Sequence, residues 1–232
     1  MTIKFPAFPA PICAPDLHGH PEFLQMVLDR FPRRHIVCLG DYCDRGPDVP
    51  GVLKLLKPLV ESGRVTALLG NHDDFFIRIL LDGFRVRGWE ESYFNATLAQ
   101  YSSHAAAVED ALWMRDHLMQ WHVWQHVYLS HAAPHKAWNP DKEMPEHLWG
   151  RPGEGTRSPL PDGCTFAVHG HTPTPTLRQD HQPLPVLLEQ MDPDRTSALY
   201  LDTAAFHTGV YTVLDLADMQ HHAFTRTQAA TD

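Results

Sequence analysis

The sequence predicts a layered α/β domain, and three observations carry that expectation. Over the first 80 residues, short apolar runs of strand length alternate with segments of helical period. Polar clusters begin where those apolar runs stop, as they do at the carboxyl ends of strands in open α/β sheets. The length of 232 residues suits one large domain or two small ones. With no internal repeat and no low-complexity linker, a single domain over residues 1–232 is expected.

Residues 12–15 read as a short strand ending at Asp16. Residues 21–31 read as a helix with Leu24, Val27, Leu28 and Phe31 on one face and Pro21 in its first turn. A buried strand is expected at 35–39. A second helix follows at 48–62, with Val52, Leu55, Leu56, Leu59 and Val60 inward and Gly63 as its stop. Residues 64–69 make a third strand, and a third helix starts over 74–81. Residues 89–121 are expected to be mostly helical and 123–130 strand-like. Residues 132–163, rich in Pro, Gly, Trp and charge, read as a long surface excursion, which in a compact domain is usually functional. Late strands are expected at 164–168, 198–201 and 210–214, with a frayed tail over 225–232.

Composition excludes several classes. The formal net charge is −9 and no long basic run is present, so sequence-independent nucleic-acid binding is not expected. No apolar run approaches the roughly 18 residues of a membrane span. The first residues lack the basic-then-apolar layout of a signal peptide. Cys13, Cys38, Cys43 and Cys164 show neither disulfide-like nor zinc-like spacing, which points to a reducing cytoplasm.

The chemistry lies in the polar clusters. The most informative is Gly40-Asp41-Tyr42-Cys43-Asp44-Arg45-Gly46, two acids and an arginine between glycines; turn chemistry does not explain that combination. Asp16 and His18 are spaced i, i+2, so a tight turn can aim both at one ion, and Gly19 lets the chain leave without a Cβ clash. Asp41 ends a strand, and its two oxygens can bridge two cations. Asn71 in Gly70-Asn71-His72-Asp73 offers a neutral oxygen to the second. His131 ends the run Val127-Tyr128-Leu129-Ser130, and His171 follows Gly170 after another run. Mixed oxygen and imidazole donors suit manganese, iron or zinc better than calcium. The cluster at 40–46 is the stronger signal and the other four are weak alone; all five in this order are the inventory of a two-metal hydrolase of phosphate esters.

These motifs resemble the phosphoprotein phosphatase branch of the calcineurin-like metallophosphoesterases, in its compact bacterial and lambda-phage form. The resemblance covers about residues 12–215. It implies an α/β/β/α sandwich, two central mixed sheets flanked by helices. It implies that Asp16, His18 and Asp41 bind one divalent metal, with manganese favoured and iron or zinc as alternatives. Asp41 would bridge to a second metal completed by Asn71, His131 and His171. His72 would protonate the leaving oxygen, held by Asp44, and Arg45 would grip the phosphoryl group. Leu148-Trp149-Gly150-Arg151 resembles the segment supplying a second phosphate arginine, so Arg151 is the candidate. Tyr200-Leu201-Asp202-Thr203 resembles a strand that is scaffold near the site. A proton donor is worth roughly 10²–10⁴-fold when the leaving group is an alkoxide.

Two positions depart from the family pattern: Pro15 replaces a glycine, stiffening the approach to Asp16, and His20 stands where Cys, Gln or Asn is usual and is expected at the surface. Cys43 is expected to be a small packed side chain. The implied substrate is a phosphoprotein carrying phosphoserine or phosphothreonine, with phosphotyrosine activity also open, or another phosphorylated small molecule. The alternative on the same fold is a symmetrical diadenosine tetraphosphatase, whose second motif typically has Ala where this chain has Asp44. A non-catalytic phosphopeptide-binding scaffold would have shown a lost ligand or a lost His72, and none is lost.

Overall fold

The structure is a computed structural model that describes residues 10–86, 88–132, 146–152, 160–188 and 197–226. Strand and helix alternate through β1 (Ile12–Ala14), α1 (Pro21–Arg30), β2 (Ile36–Cys38), α2 (Val49–Glu61), β3 (Val65–Ala67) and α3 (Asn71–Asp82). A π-helical turn (Glu90–Phe94) leads into α4 (Asn95–Leu98) and α5 (His104–His117). The second half holds β4 (Trp121–Trp124), β5 (Val127–Ser130), α6 (Glu146–Trp149), β6 (Phe166–His169), α7 (Thr174–Leu177) and β7 (Val186–Leu188). It closes with β8 (Ser197–Tyr200), α8 (Ala205–Thr208), β9 (Val210–Asp215) and β10 (Gln220–Thr225).

The described strands form two five-stranded sheets, ordered β10-β9-β1-β2-β3 and β4-β5-β6-β8-β7. Both are mixed. β1, β2 and β3 are parallel, as are β5, β6 and β8, and the remaining pairings are antiparallel. The period-2 alternation of a strand explains the layering. Cys13 and Val37 point to one side of the first sheet and meet Val127, Leu129 and Val168 of the second. Their neighbours Ile12, Ala14, Ile36 and Cys38 point the other way, into a core shared with α1, α2, α3 and α5. Tyr128, Ala167 and Ala198 face outward on the second sheet with Leu160. The strands read as continuous apolar runs because both of their faces are buried. The implied sandwich of two mixed sheets flanked by helices is the fold observed.

Several elements differ from expectation. Helix α3 starts at Asn71 and not at 74, because the Asp73 carboxylate accepts from the Gly70 N–H at 3.0 Å and closes the first turn as a cap. The span 123–130 is a hairpin, not one strand: β4 and β5 pair antiparallel around Gln125, whose φ is +54°. Edge strands β7 and β10 were not foreseen. Strand β10 exposes alternate residues and is mostly polar, so it carries no full apolar signal, while β7 is apolar but only three residues long and follows Pro183 and Pro185. Thr225 ends β10, the Arg226 N–H donates to the Gly209 carbonyl at 2.8 Å, and residues 227–232 of the expected tail lie outside the described residues. In α1 it is Phe23, stacked on Tyr211 with ring centres 4.9 Å apart, that joins Leu24 and Val27 in the core, while Leu28 is half-buried.

His20 is not at the surface. It is buried, with Nδ1 2.8 Å from the Glu22 carboxylate, because the loop after Asp16 folds back under Gly46. Of the excursion over 132–163, residues 133–145 and 153–159, Trp138 among them, lie outside the described residues. The four cysteines are free, and Cys43 is buried. Among the described residues no helix is long and apolar enough to cross a membrane.

Candidate metal centre

The first sheet delivers Asp16, Asp41 and Asn71 just beyond β1, β2 and β3, and the second delivers His131 and His171 beyond β5 and β6. All of them, with His18 and His72, are buried. Backbone strain concentrates here. His18, Asp41, Asp44, Arg45 and His171 are left-handed, with φ between +43° and +67°. For side chains with a Cβ this costs of order 1–3 kcal/mol each, and it persists only where surrounding contacts over-determine it. The glycines answer to close approach. A Cβ on Gly70 would strike the Asp41 carboxylate and one on Gly170 the Asp16 carboxylate.

Hydrogen bonds fix the imidazoles. A backbone carbonyl can only accept, so each ring nitrogen facing one carries a proton and the other presents a lone pair. Nδ1 of His18 donates to the Cys43 carbonyl at 2.8 Å, which turns Nε2 to Asp16 and Asp41 at 3.8 and 3.6 Å. Nδ1 of His131 donates to the Leu39 carbonyl at 2.9 Å, which turns Nε2 to Asn71 Oδ1 at 2.9 Å and Asp41 Oδ1 at 3.3 Å. Nε2 of His171 faces the Trp149 carbonyl at 3.2 Å, and its Nδ1 lies 2.9 Å from the same Asn71 oxygen. With the imidazoles neutral, acceptors therefore converge on acceptors, a conflict that a cation, or a proton on Nε2 of His131, relieves.

That arrangement tests the fit of a cation. Donor atoms of His18, Asp41 and His72 lie within 4.8 Å of one another, as do those of Asp41, His131 and His171. The electrostatics of the cation-free cluster agree. Burial, reinforced by Asp202, pushes the Asp16 carboxyl well above the usual carboxylate range. Burial would also raise Asp41, but His131, His72 and His18 together hold it well below that range. Burial would lower His131, yet Asp41 and Asp16 lift it to about 9, so a proton there offsets the carboxylate charge. Burial holds His18 down at about 3, outweighing Asp41. These oxygen and imidazole donors fit a borderline divalent metal.

Nδ1 of His72 is committed to Asp44 at 2.7 Å, and Nε2 opens toward the pocket 3.4 Å from Nη2 of Arg45. A pocket of about 160 Å³ is lined by His18, Asp41, Asn71, His72, Arg45 and Arg151, among others. Every sequence-predicted site residue is thus brought into one place or one contact chain. Pro15 leaves Asp16 in the cluster, and its carbonyl takes the Tyr211 hydroxyl at 2.8 Å.

Sequence reasoning missed four contributors. Asp73 accepts from the N–H groups of Asp41, Tyr42, Cys43 and Gly70 at 2.8–3.0 Å and so shapes the loop that carries Asp41. Thr97 donates to Asp44 at 2.6 Å. Asp202, read as scaffold, lines the pocket, and burial raises its carboxyl to about 6. Trp89 lies against His72, ring centres 4.6 Å apart. Asp73 and Asp202, each inside a recognised motif, had a signal to find; Thr97 and Trp89 had none.

One family model, described as calcineurin-like phosphoesterase, matches residues 12–197. A search of curated proteins finds no match. Among solved structures, a protein provisionally named a diadenosine tetraphosphatase is similar at 17% identity and TM-score 0.62, covering 96% of each chain. A protein serine/threonine phosphatase from Saccharomyces cerevisiae is similar at 12% identity and TM-score 0.61, covering 97% of this chain and 82% of that one. A cold-active protein-tyrosine phosphatase from a psychrophilic Shewanella is similar at 15% identity and TM-score 0.58, covering 96% and 82%. At these identities the likeness is one of fold.

Proposed function

We propose that this chain, which belongs to the calcineurin-like phosphoesterase family of hydrolases, is a two-metal phosphomonoesterase of the phosphoprotein phosphatase branch that acts on phosphoserine and phosphothreonine in proteins. In this reading Asp16, His18 and Asp41 would hold one divalent cation, and Asp41, Asn71, His131 and His171 would hold the other. Manganese is the expected occupant, with iron or zinc as alternatives. Cations held there would supply Lewis acidity toward the attacking water and the phosphoryl oxygens.

The protein's own groups do the rest. Arg45 and Arg151 bind and orient the phosphoryl oxygens from the pocket they both line. His72 holds a proton at Nε2 for the departing alkoxide, while the Asp44 carboxylate keeps that nitrogen turned to the pocket. The His72–Asp44 pair is the observation that carries this reading, because a serine or threonine alkoxide is a strong base that needs a donor. Hydrolysis of a dinucleoside tetraphosphate is the second reading, favoured by the rings of Trp89, Trp149 and Phe206 along the pocket, flat surfaces on which a base can stack.

The test is a matched-concentration panel of phosphoserine and phosphothreonine peptides against dinucleoside tetraphosphates with Mn²⁺-loaded protein. Preferential turnover of the peptides is expected. Preferential cleavage of the dinucleotides would replace the first reading with the second.

A further inference from the structure

Among the described residues Arg45 has no ion-paired carboxylate; its one polar neighbour within the site is Nε2 of His72 at 3.4 Å, which can accept from Nη2 only while Nε2 carries no proton. Its guanidinium lies between two rings instead. The Arg45 Cζ is 4.8 Å from the Phe206 ring centre and 5.2 Å from the Tyr93 ring centre. Tyr93 comes from the π-helical turn and Phe206 from α8, segments more than 100 residues apart in sequence. Each ring also meets one of the site's imidazoles edge-on: Tyr93 meets His72 at 5.3 Å and Phe206 meets His18 at 5.4 Å.

Crowding does not hold the arginine. It is exposed and borders an open groove of about 330 Å³ lined also by Ser92, Thr97 and Gln100, into which a loose side chain could swing. A carboxylate would fix the guanidinium too, but it would neutralise the charge and compete with a phosphoryl group for the N–H donors. Ring faces attract the cation through their quadrupole and leave the in-plane donors free. We infer that Tyr93 and Phe206 are positioning residues that clamp Arg45 in orientation for the phosphoryl oxygens without occupying its donors.

The inference rests on reading Arg45 as the phosphate-binding arginine, and the experiment separates the two. With Mn²⁺-loaded full chain and p-nitrophenyl phosphate, kcat/KM is measured for wild type, Tyr93→Leu, Phe206→Leu, and each combined with Arg45→Ala. Each ring variant is expected to lose about 3- to 30-fold, the range a cation–π contact spans. In the Arg45→Ala background the further loss should be under about 2-fold, and Tyr93→Phe should stay near wild type. Bound metal, measured on the same samples, should not change. Equal losses with and without Arg45, or no loss in either ring variant, overturn the clamp. If Phe206→Leu sheds metal through its contact with His18, Tyr93→Leu decides alone. If wild type turns over no phosphate ester, the phosphoesterase reading fails. Calorimetric titration with inorganic phosphate then still decides the clamp: weaker binding by the ring variants supports it, and unchanged affinity overturns it.

Discussion

Nδ1 of His72 stands 2.7 Å from Oδ2 of Asp44, both groups buried, and the other Asp44 oxygen takes the Thr97 hydroxyl at 2.6 Å. The carboxylate is thus held from behind while it holds the imidazole in front. His72→Asn should keep its metal but lose about 10²–10⁴-fold in kcat on an alkyl phosphate. The loss should be smaller on p-nitrophenyl phosphate, whose leaving group needs no proton. Equal slowing on both substrates would rule out the proton donor.

Asp41 sits between both sets of donors, 3.6 Å from His18 and 3.3 Å from His131. Asp41→Asn and His131→Ala should lose metal and turnover together, with affinity falling by more than about 100-fold, beyond the usual effect of changing a residue behind the ligands. Elemental analysis after gel filtration checks this. Two ions retained per chain would remove both residues from the metal set.

Asp73 gathers four buried backbone N–H groups. Asp73→Ala strands them, at about 1–3 kcal/mol for each donor left without a partner. Partial relaxation brings the expected loss to about 3–5 kcal/mol in urea unfolding, large for one substitution. A loss below about 1 kcal/mol would show that water or the loop itself replaces the carboxylate.

Arg34 reaches both oxygens of Asp215 and also the Ala10 carbonyl, tying the approach to β2 to the end of β9. Burial would raise the Asp215 carboxyl, but the Arg34 bonds and the Ala217 N–H hold it below its ordinary value. The unfolded chain therefore binds this proton more readily than the folded one. The resulting stability is complete above the ordinary aspartate pKa of about 4 and is lost as pH falls through the lower folded value. Asp215→Asn should be less stable than wild type by about 1–3 kcal/mol near neutral pH. That gap should narrow as pH drops from about 4 toward 2, read by urea unfolding across pH. A gap independent of pH would mean packing, not charge, connects these strands.

The amino-acid sequence by itself determined the alternation of β1 to α3 and the apolar strands buried on both faces, and it singled out Asp16, His18, Asp41, Asn71, His72, His131 and His171 as the candidates that the fold brings together. These were legible because local period and strand-end chemistry are written in contiguous residues. Only the tertiary structure decided what lies between segments. The start of α3 at Asn71 depends on where the Asp73 carboxylate turns, and β7 and β10 form because a neighbouring strand pairs with them. His20 is buried because the loop after Asp16 folds beneath Gly46. Tyr93, Thr97 and Phe206 carry no motif, yet they meet Arg45 and Asp44 across 48 to 161 residues of chain. Such contacts arise from packing between distant elements, and a linear pattern carries no record of which distant faces will meet.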